Sequence, residues 1–191
     1  MPAIPGFDSR AVYTSLIALV ALERLIELRI ASRNTARALS RGGIEDGRTN
    51  YAVMVVMHAA FLFSCAAEVW LLDRPWMPAL GLPSVVLIAL AAGLRFWVVR
   101  SLHGRWTTRV VYVPGDPLVT TGPFRYARHP NYVAVTIEVA ALPLVHGAWL
   151  TALVFSAANA VVLADRIRIE NRLLKRLAAP GTRGQGRGAA S

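Results

Sequence analysis

The 191-residue sequence predicts an all-α integral membrane protein of about five transmembrane helices. Three observations carry that prediction. Hydrophobic residues make up 55% and charged residues 17%, with a mean hydropathy of +0.45. A soluble domain has roughly 45–50% and about 25%. Five apolar runs approach the ~20 residues that a helix needs to cross about 30 Å of hydrocarbon. The basic residues, which set a net charge of +10, collect between those runs on one side. This composition excludes a disordered or fibrous chain. A single cysteine, Cys65, excludes an intramolecular disulfide and a Cys-based zinc site.

The first run covers 11–31, and its second half carries Glu23, Arg24, Glu27 and Arg29. No basic stretch precedes it beyond Arg10 and no small-residue cleavage site follows, so it is expected as a retained helix. The second and third runs cover 50–72 and 83–99. The fourth, 131–145, and fifth, 148–164, are separated by His146-Gly147, which allows only a tight helical hairpin with Pro143 and Gly147 as breakers. Beyond the fifth run Ile167, Ile169, Leu173, Leu174 and Leu177 recur among charges. The helix therefore continues to about residue 178, where Pro180-Gly181 ends it. One domain, 1–178, with a disordered Gly- and Arg-rich tail at 179–191, is the expected organisation.

Five spans put 16 of the 21 basic residues on one side and two, Arg10 and Arg74, on the other. The positive-inside rule makes the 16-charge side cytoplasmic and leaves the N-terminus outside. Charges interleaved with apolar runs do not form the soluble basic face that nucleic acid needs, so no nucleic-acid partner is expected. Trp70, Trp76, Trp97, Trp106 and Trp149 fall near span ends, where interfacial aromatics are common.

Most of the cytoplasmic mass lies in the loop 100–130 and the tail helix. The β-branched run Val110-Val111-Tyr112-Val113, followed by Pro114-Gly115-Asp116-Pro117, reads as an extended segment and a turn. Gly122-Pro123 turns the chain, and Pro130 suits the first position of a helix, where its missing N–H costs nothing. Free N–H groups of that helix start, beside Arg125, Arg128 and His129, would make an anion-binding corner at the membrane surface. A basic loop on lipid headgroups has the same composition. In the tail, Arg166 and Glu170 stand four apart on one helical face. That is also the pattern of an ordinary surface ion pair. Glu68, Arg95 and Glu138 lie within spans, where charge is expensive and points to function. Glu138 shares a face with Asn131 below the corner, and a structural pair with Arg95 is its other reading. Glu23, Arg24, Glu27 and Arg29 are expected to pair among themselves. His58, His103 and His146 are too scattered for a metal site, and Cys65 reads as packing.

Taken together, Gly122-Pro123-Phe124-Arg125, Arg128-His129-Pro130-Asn131-Tyr132, a helical hairpin, and Arg166-Ile167-x-x-Glu170-x-x-x-Leu174 resemble the isoprenylcysteine carboxyl methyltransferase family over about 102–174. Trp106-Thr107-Thr108 and Glu23-Arg24-x-x-Glu27-Leu28 are similar to a bacterial branch that O-methylates alkylpyrone or alkylresorcinol lipids. Asn171 stands where the family often has a second Glu, and Ala134 where it often has Gly. The resemblance implies an S-adenosylmethionine-dependent methyltransferase whose cofactor pocket is non-Rossmann, built from the loop, the following helix start and the tail helix. No strand–Gly-x-Gly-x-x-Gly–helix unit contradicts it. It further implies cofactor binding by Val119, Gly122, Pro123, Arg128, His129, Pro130 and Tyr132. Arg166 is then the candidate for holding the acceptor's oxyanion, and Glu170 for orienting the cofactor's ammonium group or acting as base. Trp106 and Glu138 are candidates for contact with a lipophilic acceptor arriving from the bilayer, a lipid hydroxyl ahead of a prenylcysteine carboxylate. Other classes compatible with the layout are an NADPH-dependent membrane reductase and a non-enzymatic channel or transporter. A bacterial inner membrane is the expected location.

Overall fold

A computed structural model describes residues 8–178, and the tail expected at 179–191 lies outside them. Five long helices account for most of the chain: α1 (Ser9–Ser40), α2 (Arg48–Leu71), α3 (Pro78–Ser101), α4 (Pro130–Leu144) and α5 (Trp149–Ala178). Two short strands, β1 (Ile44–Asp46) and β2 (Val110–Tyr112), join them.

Three helical stretches are long and apolar enough to cross a membrane: Arg48–Leu71, Pro78–Ser101 and Trp149–Lys175. The other two expected spans are either more charged or shorter than these three. α1 carries four charges in its middle. α4, with 15 residues, is about 22 Å long at 1.5 Å per residue, less than the hydrocarbon thickness. Leu19, Val56, Phe63, Leu82, Phe96 and Leu153 are among many large apolar side chains left exposed, as suits a lipid-facing surface.

Local chemistry explains the helix limits. Asp8 caps α1 by accepting from the Arg10 N–H at 2.9 Å. The helix runs nine residues past the expected 31 because its polar end is docked: Asn34 and Thr35 are buried, and Asn34 Nδ2 donates to the Trp106 carbonyl at 2.8 Å. α3 starts earlier than expected because a proline is tolerated in the first turn of a helix. The α4–α5 hairpin turns at Gly147, whose φ of +70° favours glycine. Glu68 accepts from the Leu150 and Thr151 N–H groups at the start of α5 and pairs with Arg74 at 2.9 Å, so this intramembrane carboxylate is structural.

Within the bundle, α4 packs on α3 and α5, and α2 packs on α5. α1 lies along α2 and is pinned at its two ends. At the hairpin end, Tyr13 and Ile17 join the core of Phe61, Cys65, Val69, Val139 and Leu142. At the other end, Ala31 packs with Val98 and Trp106. Between these pins α1 forms one wall of a cavity. The extended run around Val111 is β2, and its antiparallel partner is β1, paired Ile44 to Tyr112 and Asp46 to Val110. Its inner side packs on Ile169 and Leu173 of α5.

Candidate active site

The loop after β2 reaches α4 through a single 3-10 turn, Gly122–Arg125. Gly122 has φ +62°, and a Cβ there would lie 3.1 Å from Ser101 Cβ and 3.3 Å from Trp97 Nε1. This pair of residues wedges the loop against the end of α3, and Pro123 is buried behind it. Neither lines the cavity. Val119 does, with Leu118 and Thr120.

Pro130 occupies the start of α4 and His129 is its N-cap residue, without a side-chain cap bond. The His129 ring stacks on Tyr132 with centroids 5.2 Å apart, and its Nδ1 lies 3.1 Å from Glu170 Oε2. The Tyr132 hydroxyl donates to Glu170 Oε1 and accepts from Arg166 Nε at 2.8 Å. Arg166 Nη2 donates to the Thr108 carbonyl at 2.7 Å, and Nη1 faces Met54 Sδ at 3.9 Å. Four residues expected from sequence, His129, Tyr132, Arg166 and Glu170, thus form one interlocked group. Arg166 is only 5% exposed, so each of its hydrogen bonds matters. Arg128 is exposed at the cavity rim, whereas Arg125 lies over the Tyr126 ring, 6.0 Å from its centroid, and leaves the corner.

This group stands at the mouth of a cavity of about 1590 Å³ lined by all five helices and the loop. That exceeds the roughly 300–1,000 Å³ of a single small-molecule pocket. Trp106, at 4% exposure, is a buried wall residue and not an interfacial one like Trp70, Trp76, Trp97 and Trp149. Its carbonyl is held by Asn34 and its ring is enclosed by Ala31 and Val98.

Deeper in the cavity four charges face one another. Arg95 binds Glu138 through Nε, at 3.2 Å, and Nη2. Arg24 pairs with Glu27 and, at 3.4 Å, with Glu138, and Arg95 Nη1 lies 3.7 Å from Glu27. The pair expected between Glu138 and Arg95 is present, and Arg24 and Glu27 of α1 pair with it across the cavity as well as with each other, whereas Arg29 forms no ion pair among the described residues. Two cation–carboxylate pairs that neutralise one another offset much of the cost of charge at this depth.

Sequence reasoning did not place Met54 or His58 of α2 in the cavity wall, where both stand. Met54 and His58 stand four apart on one helical face, but the surrounding run is apolar on every face, so nothing in it marks that side as inward.

Membrane-length helices and a charged cluster beside a cavity define a membrane protein with a candidate ligand site between its helices. The family profile for isoprenylcysteine carboxyl methyltransferases (ICMT) matches residues 84–176, the region that holds α3, the loop, α4 and the cluster on α5. The chain is 37% identical over 161 residues to the uncharacterized protein YpbQ of Bacillus subtilis (strain 168), covering 84% of this chain and 95% of that one. It is 28% identical over 155 residues to an uncharacterized protein of Haemophilus influenzae (strain ATCC 51907 / DSM 11121 / KW20 / Rd), covering 81% and 90%. No solved structure gives a significant match. The chain belongs to the isoprenylcysteine carboxyl methyltransferase family, a family of membrane methyltransferases.

Proposed function

We propose that the protein is an S-adenosylmethionine-dependent O-methyltransferase acting on a lipid-like acceptor, with the hydroxyl of an alkylpyrone or alkylresorcinol favoured. The observation that carries this reading is the group of His129, Tyr132, Arg166 and Glu170 at the mouth of the cavity. The loop side is cytoplasmic, the N-terminus is outside, and the membrane is the inner membrane of a bacterium.

The residues present suit such a cofactor. Arg128 and the uncapped start of α4 offer charge and N–H donors to its carboxylate. Glu170 offers an acceptor to its ammonium group. Asn131 Oδ1, in the first turn of α4, is buried without a partner and can take a donor. Val119, Leu118 and Leu174 supply apolar wall. Gly122 and Pro123 act one step back, by fixing the loop that carries Val119.

When bound, S-adenosylmethionine supplies a methyl group on a sulfonium, the electrophile of the reaction. The chain's contribution is alignment and a dry site. Arg166 is fixed by Tyr132 and Thr108, so its Nη1, with only a sulfur for partner, is the donor aimed at an acceptor oxygen. Glu170 already accepts from Tyr132 and lies 3.1 Å from His129 Nδ1, which makes it an anchor and orienting group and a poor choice of base. Exposed Leu25 and Val55 at the cavity rim give a lipid tail a route from the bilayer.

Calorimetric binding of S-adenosylhomocysteine to detergent-purified protein tests this, with His129→Ala as control and NADPH as comparator. Micromolar binding lost in the variant is the expected result. Binding of NADPH alone makes the protein a reductase, and methylation of a prenylcysteine in place of an alkylpyrone moves the acceptor to a carboxylate.

A further inference from the structure

His58 sits near the middle of α2, one turn deeper than Met54, and lines the cavity. Its Nδ1 is 2.8 Å from the Met54 carbonyl oxygen. A carbonyl only accepts, so Nδ1 carries the hydrogen and the ring is held as the tautomer whose Nε2 presents a lone pair. No described residue donates to that Nε2. Met54, directly above, meets Arg166 Nη1 through its sulfur at 3.9 Å, a weak contact for a guanidinium. Successive turns of α2 are about 5.4 Å apart along the axis. One donor with a weak partner, Arg166 Nη1, and one free acceptor, His58 Nε2, therefore flank the same stretch of cavity wall.

We propose that His58 is the residue that recognises the methyl acceptor, and that it selects a neutral hydroxyl over a carboxylate. This rests on the methyltransferase reading above and names the substrate class for that site. A hydroxyl both accepts and donates, so its oxygen takes the hydrogen bond of Arg166 Nη1 while its hydrogen goes to His58 Nε2. A carboxylate only accepts. It would satisfy Arg166 and leave the His58 lone pair against an anion, an unpaired acceptor in a cavity of low polarity. The cations deeper in the cavity, beyond His58, are already engaged by carboxylates. Arg24 of α1 and Arg95 of α3 are already paired with Glu23, Glu27 and Glu138, so that cluster has no cation to spare for an anion. The favoured acceptor is a phenol on an alkyl chain, whose tail follows Val139, Leu142 and Phe61 at the far end of the cavity.

The test is equilibrium binding to protein saturated with S-adenosylhomocysteine. The probes are a long-chain 5-alkylresorcinol, its dimethyl ether and a fatty acid of equal chain length, against wild type, His58→Phe and His58→Gln. Wild type should prefer the resorcinol to its ether by about 10-fold or more, the effect of leaving one buried acceptor unpaired. His58→Phe should erase the preference, and His58→Gln, which keeps an acceptor oxygen, should restore part of it. A second measurement needs no variant to fold: the Nε2 resonance of ¹⁵N-labelled His58 in wild type should move on adding the resorcinol and stay on adding the ether. A preference that survives His58→Phe, an unmoved resonance, or tighter binding of the fatty acid overturns the proposal. S-adenosylhomocysteine binding separates the two levels. If wild type fails to bind it, the methyltransferase reading falls. If it binds and the resorcinol preference ignores His58, only the role of His58 falls.

Discussion

Replacing Tyr132 by Phe removes one oxygen atom from the centre of the cluster and nothing else. That oxygen donates to Glu170 Oε1 and accepts from Arg166 Nε at 2.8 Å. Hydrogen bonds to charged groups contribute about 1.5–3 kcal/mol each, so two of them set an upper bound near 6 kcal/mol. Part is recovered, because Arg166 Nε already lies 3.6 Å from Glu170 Oε1 and a small shift brings the two into direct contact. Arg166 also keeps its bond to the Thr108 carbonyl. A net loss of about 2 kcal/mol remains, which corresponds to roughly 30-fold in affinity if the cluster is what organises the cofactor site. For a chain of this size the same loss lowers the melting temperature by about 4–8 °C. Calorimetry with S-adenosylhomocysteine and a thermal melt in one detergent measure both. Wild-type affinity together with a wild-type melting temperature would refute the reasoning. A lowered melting temperature with unchanged affinity would make the cluster a brace and move the cofactor elsewhere in the cavity.

Glu138→Gln strips the main carboxylate from buried Arg95 and should destabilise the protein by about 3 kcal/mol in thermal denaturation, while Arg95→Met with Glu138→Met recovers most of it. Gly122→Ala forces a Cβ onto Ser101 at a left-handed backbone position, so cofactor affinity should fall about 10-fold, with partial rescue by Ser101→Gly. Burial in the α4–α5 turn, against Tyr13 and with Ser9 Oγ 3.1 Å from Nε2, holds His146 below the usual histidine range. The unfolded chain thus takes up that proton first, at its ordinary value near 6.5. The associated stability is full above about pH 6.5 and is lost as pH falls towards the depressed folded value. A melt series from pH 8 to 5 should show this slope, and His146→Gln should flatten it.

The three membrane-length helices follow from hydropathy alone, because lipid contact and burial both demand apolar residues over a fixed length. The hairpin follows from Pro143 and Gly147, and the continuation of α5 from apolar residues recurring among charges. Arg166 and Glu170 are legible as a pair because four residues make one helical turn. Their meeting with His129 and Tyr132 is legible only through family resemblance, since no local rule brings residues 34 or more positions apart to one spot.

The sequence by itself therefore determined which segments are helices and where the hairpin lies. Tertiary structure alone decided which sides of those helices face inward. It paired β2 with β1 from a loop that reads only as basic. It turned Gly122 and Pro123 away from the cavity, took Trp106 off the interface into the wall, and joined the charges of α1 to Arg95 and Glu138. The physical reason is that lipid and protein core are alike apolar. Hydropathy marks a residue as out of water, and only the packing of helix on helix tells a residue such as His58 that it faces a ligand cavity and not the bilayer.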